Sequence, residues 1–496
     1  MRLRPRHYLP VFAAPLLASC VFLLDYDELQ GGNANGAGGM PASGGQPEGG
    51  TPNQVGEAGN AGAGAGASPC GVCDDQDPCT TDSCDGDACV HEALEGLALD
   101  GLDVSLPNTR HVRVSLAASG TYFYFSVLQV ANKLPQIALY RLASDGAELE
   151  PLSTEGLEGI PVSNIGLAVE ELALGEVALH GFLAAEPKLG DIAPKVFHLV
   201  HRDGNTTANL VGASYKADNE YVFPQAVNMG GSIVGAWIQP DGTIAVHSVG
   251  SARSDVFGAA TLPATTLSLL ATADDKPAVL FTAQSAPGAA MGTYIETSGS
   301  NRAKLAECET RPGDYLSSSV IATQVPGLYL ANTTRYGDDY LTSGGGAILC
   351  GNNACAPLPE SCDDAEASAG IRNVAGAAVH FKTDDPGIVY SVVAVPQIAV
   401  KDDGSGAEGR LSLALGRADF SAPGEPQSNT IGGDASGLLQ VAQNDTSEAL
   451  GFAGPDWPAV GILPSERVAV AWIQPGASGT GTDLHVQRYK MCLPPQ

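Results

Sequence analysis

One short pattern occurs twice in this chain and constrains its fold more than any other feature. Ile233–Pro240 reads IVGAWIQP and Val468–Pro475 reads VAVAWIQP, so five consecutive residues, AWIQP, are identical. A proline-led apolar segment precedes each copy, and a second run rich in β-forming residues follows it. This order predicts a repeated unit of strand, turn, strand, loop and strand.

The spacing of the two copies limits the architecture. Trp237 and Trp472 are 235 residues apart. If they occupy equivalent positions, that distance spans a whole number of repeats, and four repeats of about 59 residues suit four-stranded blades with long loops. We therefore expect an all-β chain whose residues 98–496 form a β-propeller. Seven blades are preferred, and six would also fit the length.

Strand signals continue throughout this region. Short runs rich in Val, Ile, Tyr and Phe alternate with Gly, Pro, Asp and Asn, and the chain contains 61 glycines and 33 prolines. A closed propeller suits such a chain because radial blades leave few strand edges exposed. The alternative is a pair of tandem β-sandwiches, but no Cys-Trp-Cys framework supports it. We expect Trp237 and Trp472 to pack between blades, the alternative being platforms that stack on sugars.

The N-terminus has the layout of an export signal. Three arginines, Arg2, Arg4 and Arg6, precede an apolar stretch from Tyr8 to Ala18. That stretch is about half of the ~20 residues that span a bilayer, so residues 1–19 are predicted to be a cleaved signal peptide.

The segment Leu17-Ala18-Ser19-Cys20 resembles the lipobox of bacterial lipoproteins. The resemblance implies cleavage before Cys20, a diacylglycerol thioether on its thiol and a third acyl chain, such as palmitate, on its freed amino group. Two or three acyl chains make a stable anchor, because each buried methylene contributes about 0.8 kcal/mol. Residues 20–30 would then form a membrane-attached N-terminus. The alternative is an ordinary signal peptide that is cut at another site, with Cys20 unmodified.

The residue after Cys20 bears on the membrane that would hold the anchor. It is Val21 rather than Asp, so the inner-membrane retention signal of enteric lipoproteins is missing. We therefore expect placement in the outer membrane of the cell envelope.

A linker and a cysteine-rich module come next in the chain. Residues 31–68 contain 14 glycines and no Lys, Arg or aromatic residue, so we expect a disordered Gly/Ala-rich tether. Residues 69–92 hold five cysteines, and the stretch Asp77–His91, DPCTTDSCDGDACVH, resembles the slime-mould cysteine-rich repeat, also called the CTDC repeat. The resemblance implies a small extracellular disulfide knot without enzymatic activity.

Three interpretations compete for the module's cysteines. Structural disulfides are favoured because an exported chain meets an oxidising compartment. A zinc site is the second, although Cys70-x₂-Cys73 has no second Cys-x₂-Cys partner. Redox catalysis is the third, but no βαβ context surrounds the pair. No metal is assigned; calcium is open because the same loop is rich in Asp, and a solvated acidic surface is the alternative.

Counting cysteines leads to a sharper expectation. Once Cys20 is acylated, ten others are candidates for disulfide bonds, five in the module and five beyond it: Cys70, Cys73, Cys79, Cys84, Cys89, Cys308, Cys350, Cys355, Cys362 and Cys492. Five is odd, so full oxidation within one chain requires a bridge between the module and the large domain. We expect Cys492 to supply it, because a closed ring brings the C-terminus beside its N-terminal entry. Cys350 and Cys355 would close a hairpin, leaving Cys308 with Cys362.

The sequence shows no convincing active site. It lacks a G-x-S-x-G elbow, an H-E-x-x-H motif and a phosphate-binding loop, and we assign no catalytic residue and no cofactor. Seven histidines are scattered over the strand region without ligand spacing: His111, His180, His198, His201, His247, His380 and His485. Many propeller enzymes assemble a site from dispersed loops, so the question of an enzyme stays open, with a leaning against it.

Charge narrows the set of partners. With 25 basic and 55 acidic residues the net charge is −30, which disfavours nucleic acid and anionic lipid headgroups. We expect a membrane-anchored binding or adhesion protein whose propeller contacts an unknown protein or glycan. The alternatives are a hydrolase or lyase of extracellular polymers and a structural subunit of an envelope complex.

Overall fold

The computed structural model describes residues 73–493 with gaps between strands, of which those of nine residues or more are 186–194, 213–223, 357–370 and 447–455. These residues belong to one compact unit of the chain, Ser68–Gln496. The expected signal peptide, lipid anchor and tether lie outside the described residues. Within the described part every regular element is a β-strand, and no helix is suited to crossing a membrane.

The strands, numbered in chain order, form one hairpin and seven larger antiparallel sheets among the described residues. The hairpin consists of β1 (Thr80–Asp85) and β2 (Ala88–Ala93). The next strand, β3 (Gly96–Thr109), belongs to the last sheet. Blade 1 comprises β4 (His111–Ser119), β5 (Tyr122–Ala131), β6 (Leu134–Ala143) and β7 (Glu150–Leu152). Blade 2 comprises β8 (Val162–Glu171), β9 (Val177–Ala185), β10 (Lys195–Arg202) and β11 (Asn205–Gly212).

Blades 3 to 5 repeat this order. Blade 3 comprises β12 (Gln225–Met229), β13 (Ser232–Ile238), β14 (Ile244–Ser248) and β15 (Asp255–Phe257). Blade 4 comprises β16 (Ser268–Ala271), β17 (Pro277–Gln284), β18 (Met291–Thr297) and β19 (Asn301–Cys308). Blade 5 comprises β20 (Tyr315–Ala322), β21 (Tyr329–Tyr336), β22 (Gly345–Gly351) and β23 (Ala354–Ala356).

The last two blades depart from the simple pattern. Blade 6 has six strands: β24 (Ile371–Asn373), β25 (Ala377–Lys382), β26 (Ile388–Val400), β27 (Ala407–Asp419), β28 (Gln427–Thr430) and β29 (Leu439–Thr446). Blade 7 comprises β30 (Asp456–Ile462), β31 (Arg467–Pro475) and β32 (Thr482–Cys492), with β3 added beside β32. One blade is therefore built from both ends of the propeller sequence.

The blades close into a ring, as a β-propeller requires. The first strand of each blade, or the second in blade 6, contacts its counterpart in the next blade, in the order β4, β8, β12, β16, β20, β25, β30 and back to β4. The expected fold class is confirmed, and the seven described sheets match the preferred blade number. The sandwich alternative was wrong, because the sheets follow one another around a circle instead of stacking in pairs.

The core lies between the blades, and this explains the nearly continuous apolar strands. A blade has a neighbour on each face, so both sets of alternating side chains are buried. In β9 every residue after Val177 is buried, and in β13 every residue after Ser232. Phe123 and Phe125 of blade 1, for example, pack against Ile473 of blade 7 in one such interface. Each interface therefore contributes its own share of apolar burial.

Turn residues end these strands in the expected way. Asp203 and Gly204 connect β10 to β11 with φ angles of 51° and 75°, and the pair Gly230 and Gly231 connects β12 to β13 with 55° and 92°. Two consecutive positive φ angles are what a type I′ hairpin turn requires, and Asp-Gly and Gly-Gly tolerate them.

Candidate functional site

The cysteine module is a hairpin with disulfide bonds, which was the favoured interpretation of its cysteines. In the register of β1 and β2, Cys84 lies opposite Cys89. Cys73, in the segment before β1, is bonded to Cys89, and Cys84 is disulfide-bonded as well. Disulfide bonds thus hold the segment before the hairpin against its second strand.

A further disulfide joins the module to the propeller. Cys79 is bonded to Cys492 across a sequence separation of 413 residues. Cys492 ends β32 and lies opposite Gly96, the first residue of β3, in the register of blade 7. The bridge expected from the odd number of module cysteines is present, and it lies where β3 begins.

An ionic cluster lies four residues into β3. A register irregularity between Leu99 and Leu102 places Asp100 in a bulge. Its Oδ2 accepts hydrogen bonds from Arg467 Nε at 2.9 Å and from Arg488 Nε at 3.1 Å. Arg488, which is 7% exposed, also donates to the carbonyl oxygen of Asp100 at 2.9 Å and to that of Gly146 in blade 1 at 2.7 Å. Asp100 is thereby bonded to β31 and β32, and Arg488 connects this cluster to blade 1.

A second polar cluster lies on the module. Asp82 and His91 are cross-strand partners, and His91 Nδ1 lies 2.5 Å from Asp82 Oδ1 and 3.3 Å from Asp75 Oδ2. The hydrogen bond between them raises the pKa of His91 and lowers the pKa of Asp82. Among the residues that the structure describes, these three form the group whose side chains could hold a metal ion. They offer fewer oxygen ligands than calcium takes, and His91 Nδ1 already contacts both carboxylates.

The repeated tryptophans lie in blade interfaces. Trp237, on β13, packs among residues of blades 2 and 3, and Trp472, on β31, packs among residues of blades 6 and 7. Each is 2% exposed. Both are on the second strand of their blade, and blades 3 and 7 are four blades apart, as the spacing predicted. Burial at this level leaves no face of either ring for a sugar, so their role is packing.

Each tryptophan has a histidine neighbour on the third strand, but at different registers. His485 lies opposite Trp472 and stacks on it with ring centroids 5.4 Å apart. Ala245 lies opposite Trp237, and His247, two residues further, is 6.4 Å from that tryptophan ring. The two histidines therefore correspond only approximately.

A chain of polar groups runs through the interface between blades 2 and 3. Glu170 Oε2 lies 3.0 Å from His180 Nε2, and His180 Nδ1 lies 3.0 Å from His198 Nε2. The two imidazoles stack with centroids 5.2 Å apart, and Phe182 stacks on His198 at 5.0 Å. His247 faces this group from blade 3, 6.4 Å from the Phe182 ring.

Burial determines the charge of these histidines. Loss of solvent lowers the pKa of His180 and lowers that of His198 to about 4, where the neighbouring His180 and His247 act in the same direction. Both rings are neutral near pH 7 as a result. A carboxylate next to two imidazoles is an arrangement capable of moving protons. Here all three residues belong to blade 2 and the rings are only 5% and 7% exposed, so the arrangement is packed inside the protein.

Sequence reasoning did not find this polar chain. His180 and His198 are 18 residues apart and lie on neighbouring strands of one sheet. The alternation of side chains in β8, β9 and β10 places Glu170, His180 and His198 on one face. That signal is readable only once the strand register is known.

The other predicted cysteines are partly located. Cys350 and Cys355 lie opposite each other in the hairpin of β22 and β23, as their spacing predicted, and Cys308 ends β19. Disulfide bonds among Cys308, Cys350, Cys355 and Cys362 stay predictions. Three cysteines lie outside the described residues: Cys20, Cys70 and Cys362.

Comparison with known proteins shows similarity of fold only. No protein-family model and no curated protein matches the sequence. Among solved structures, a six-bladed fucose-binding lectin from Aleuria aurantia has a TM-score of 0.33 at 11% identity, covering 78% of this chain and 99% of its own. An α-L-arabinofuranosidase from Fusarium graminearum has 0.37 at 9%, covering 65% and 97%. The polysaccharide lyase Uly1 has 0.42 at 7%, covering 76% and 89%. Similarity this low carries no information about a ligand.

Proposed function

We propose that this protein is an exported lipoprotein, anchored by Cys20 in the outer membrane, whose propeller binds an extracellular glycan or protein. The observation that carries the proposal is the Cys79–Cys492 disulfide. It bonds the segment that follows the tether to the last strand of the propeller. The ring is thereby held at the end of a membrane-attached chain.

The disulfides support export. Bonds such as Cys73–Cys89 and Cys79–Cys492 form and persist outside the reducing cytosol. The signal-peptide layout and lipobox of residues 1–20 supply a route to that compartment. Two independent features of the chain thus support the same location.

The packing of the propeller interior and the charge of the whole chain support a role in binding a partner. His180, His198, Trp237 and Trp472 are all buried between blades, so these residues stabilise the scaffold and leave contact with partners to the loops. The net charge of −30 repels anionic polymers. We therefore propose an uncharged glycan or a basic protein as the ligand, and no nucleic acid.

The anchor is tested by fractionation. Cells expressing the full chain are labelled with a radioactive or alkyne-bearing palmitate, and their outer membranes are separated. We expect labelled protein in that fraction and, for Cys20→Ser, unlabelled protein that has left it. Cys73→Ser/Cys89→Ser is the control, because it replaces two cysteines that are bonded to each other but leaves Cys20 in place. Equal labelling of Cys20→Ser would contradict the anchor.

The ligand is tested with the mature chain on arrays of neutral polysaccharides, acidic polysaccharides and envelope proteins. We expect saturable binding to a neutral glycan or a basic protein and no binding to the acidic polymers. The same polysaccharides are then incubated with the protein and analysed for chain length. Shortened polymer would favour the hydrolase or lyase alternative, and binding to neither class would contradict the proposal.

A further inference from the structure

We infer that the Cys79–Cys492 disulfide is a mechanical bypass, which transfers tension from the tether to the interior strand β32 and keeps the edge strand β3 from being peeled off the propeller. The inference gives the anchored binding protein proposed above a way to stay folded while its ligand is pulled. It rests on that proposal only for the origin of the force.

The position of β3 at a sheet edge makes this strand easy to detach by tension. In blade 7 the strand order is β3, β32, β31, β30, so β3 pairs with a single neighbour and lies at the edge of the sheet. Its first residue, Gly96, is paired with Cys492 at the end of β32. Tension entering at Gly96 would open the ladder one pair at a time from that end. Such a geometry loads few hydrogen bonds at once and opens at low force.

The disulfide changes where the tension enters. Tension from the tether reaches the hairpin module, in which Cys73 is bonded to Cys89 and Cys79 to Cys492. Cys492 belongs to β32, which is paired with β3 on one side and with β31 on the other. The module therefore pulls directly on a strand with two neighbours, and the load that reaches Gly96 is reduced.

The receiving end of β32 is firmly packed. Tyr489, Met491 and Cys492 are 4%, 1% and 3% exposed, and the first two belong to the core between blades 6 and 7. Arg488, in the same strand, binds Asp100 of β3 and the carbonyl oxygen of Gly146 in blade 1. Tension at Cys492 is thus shared among three blades.

Single-molecule pulling tests the bypass. The mature chain, carrying Cys20→Ser, is held at a tag before residue 73 and at a tag in the exposed turn at Asp203, whose side chain is 68% exposed. For the double variant Cys79→Ser/Cys492→Ser we expect an early, low-force step of about 50 Å, the length of the 14 residues of β3. For the chain with its disulfide intact we expect that step to be absent.

Cys73→Ser/Cys89→Ser is the matched control, because it also removes one disulfide but leaves Cys79–Cys492 in place. We expect it to behave like the intact chain. Should a serine variant fail to fold, the folded wild-type chain is reduced in the instrument, and the early step should then be gained. The inference is overturned if the intact chain shows the same low-force step, or if both double variants do.

The outcome is separable from that of the proposed function. The pulling experiment involves no membrane and no ligand, so its failure leaves the palmitate and array results untouched. Conversely, the pulling experiment reports the presence or absence of the early step even for a chain that binds nothing on the arrays. Each proposal therefore fails by its own measurement.

Discussion

His180 and His198 show how burial and not sequence motif decides what a residue does in this protein. Both imidazoles are hydrogen-bonded to each other inside a blade interface, and only Glu170, whose side chain is 30% exposed, connects them to solvent. A buried base without a full counter-charge takes up a proton at lower pH than a free one. The interface between blades 2 and 3 is therefore sensitive to acid.

The acid sensitivity can be measured. Unfolded His198 binds a proton near pH 6.5, whereas the folded residue, with its pKa at about 4, does not. Below pH 6.5 the unfolded state therefore binds more protons, and stability falls as the pH falls. The free energy of unfolding of the wild type should fall between pH 7 and pH 5. In His198→Asn we expect this fall to be smaller by on the order of 2 kcal/mol.

The control for this prediction is His91→Gln. The pKa of His91 is raised by Asp82, so its stabilising contribution is present at low pH and is lost as the pH rises. When His91→Gln is unfolded with denaturant at pH 7 and pH 5, its free energy of unfolding should fall between them at least as much as that of the wild type. An acid loss in His198→Asn equal to that of the wild type would mean that other groups cause the sensitivity.

Among the elements, two of the strands that contact each other around the ring carry glycines with no room for a larger residue. Gly166 of β8 faces the start of blade 3, and a Cβ at this position would lie 2.3 Å from the carbonyl oxygen of Pro224. Gly461 of β30 faces Leu116 of β4, where a Cβ would lie 1.8 Å from the Leu116 Cδ2 atom. Glycine at these positions allows neighbouring blades to converge on the axis.

The two glycines should respond differently to substitution. A methyl group at Gly166 meets backbone, which cannot move without shifting blade 3, whereas one at Gly461 meets the end of a leucine side chain, which can change rotamer. We expect Gly166→Ala to cost about 1–3 kcal/mol, the usual range for overpacking, and Gly461→Ala to cost less. Leu116→Ala should relieve the Gly461→Ala strain and not that of Gly166→Ala. Thermal unfolding of Gly166→Ala, Gly461→Ala, Leu116→Ala and the two double variants that contain Leu116→Ala tests this, and equal losses would contradict it.

At the scale of the whole molecule, the propeller is closed both by hydrogen bonds and by a covalent bond. The strands β3 and β32 come from opposite ends of the propeller sequence and pair in blade 7. The Cys79–Cys492 bond encloses nearly the entire propeller in one covalent loop, since its sequence separation is 413 residues. Restricting an unfolded chain over so long a loop lowers its entropy more than a short loop does.

Loop length leads to a ranking of the two described disulfides. The Cys73–Cys89 bond spans 16 residues and should stabilise the folded state by about 3 kcal/mol, while the Cys79–Cys492 bond, which spans 413, should contribute about 6 kcal/mol by the same loop-entropy relation. We expect Cys79→Ser/Cys492→Ser to lower the melting temperature of the propeller more than Cys73→Ser/Cys89→Ser does. Calorimetry of both folded variants checks the order. The reverse order would mean that the module, rather than the closure, limits stability.

Much of the fold could be predicted because it depends on local residue patterns, on the spacing of a repeat and on the number of cysteines. Apolar runs between Gly, Pro and Asp positions marked the strands, and the spacing of Trp237 and Trp472 required four repeats between them. Blade 6 with its six strands and the polar chain of Glu170, His180 and His198 were not predicted. Both depend on strand register, which pairs residues distant in sequence.

The sequence by itself favoured a β-propeller over tandem sandwiches and, for a fully oxidised chain, required a bond between the module and the large domain, because periodicity and parity are properties of the chain alone. Only the tertiary structure decided that Cys79 is the residue bonded to Cys492, that β3 completes the last blade and that buried histidines meet between blades 2 and 3. These outcomes depend on which groups come within bonding distance once the ring closes. Distance in space is a property of the folded chain.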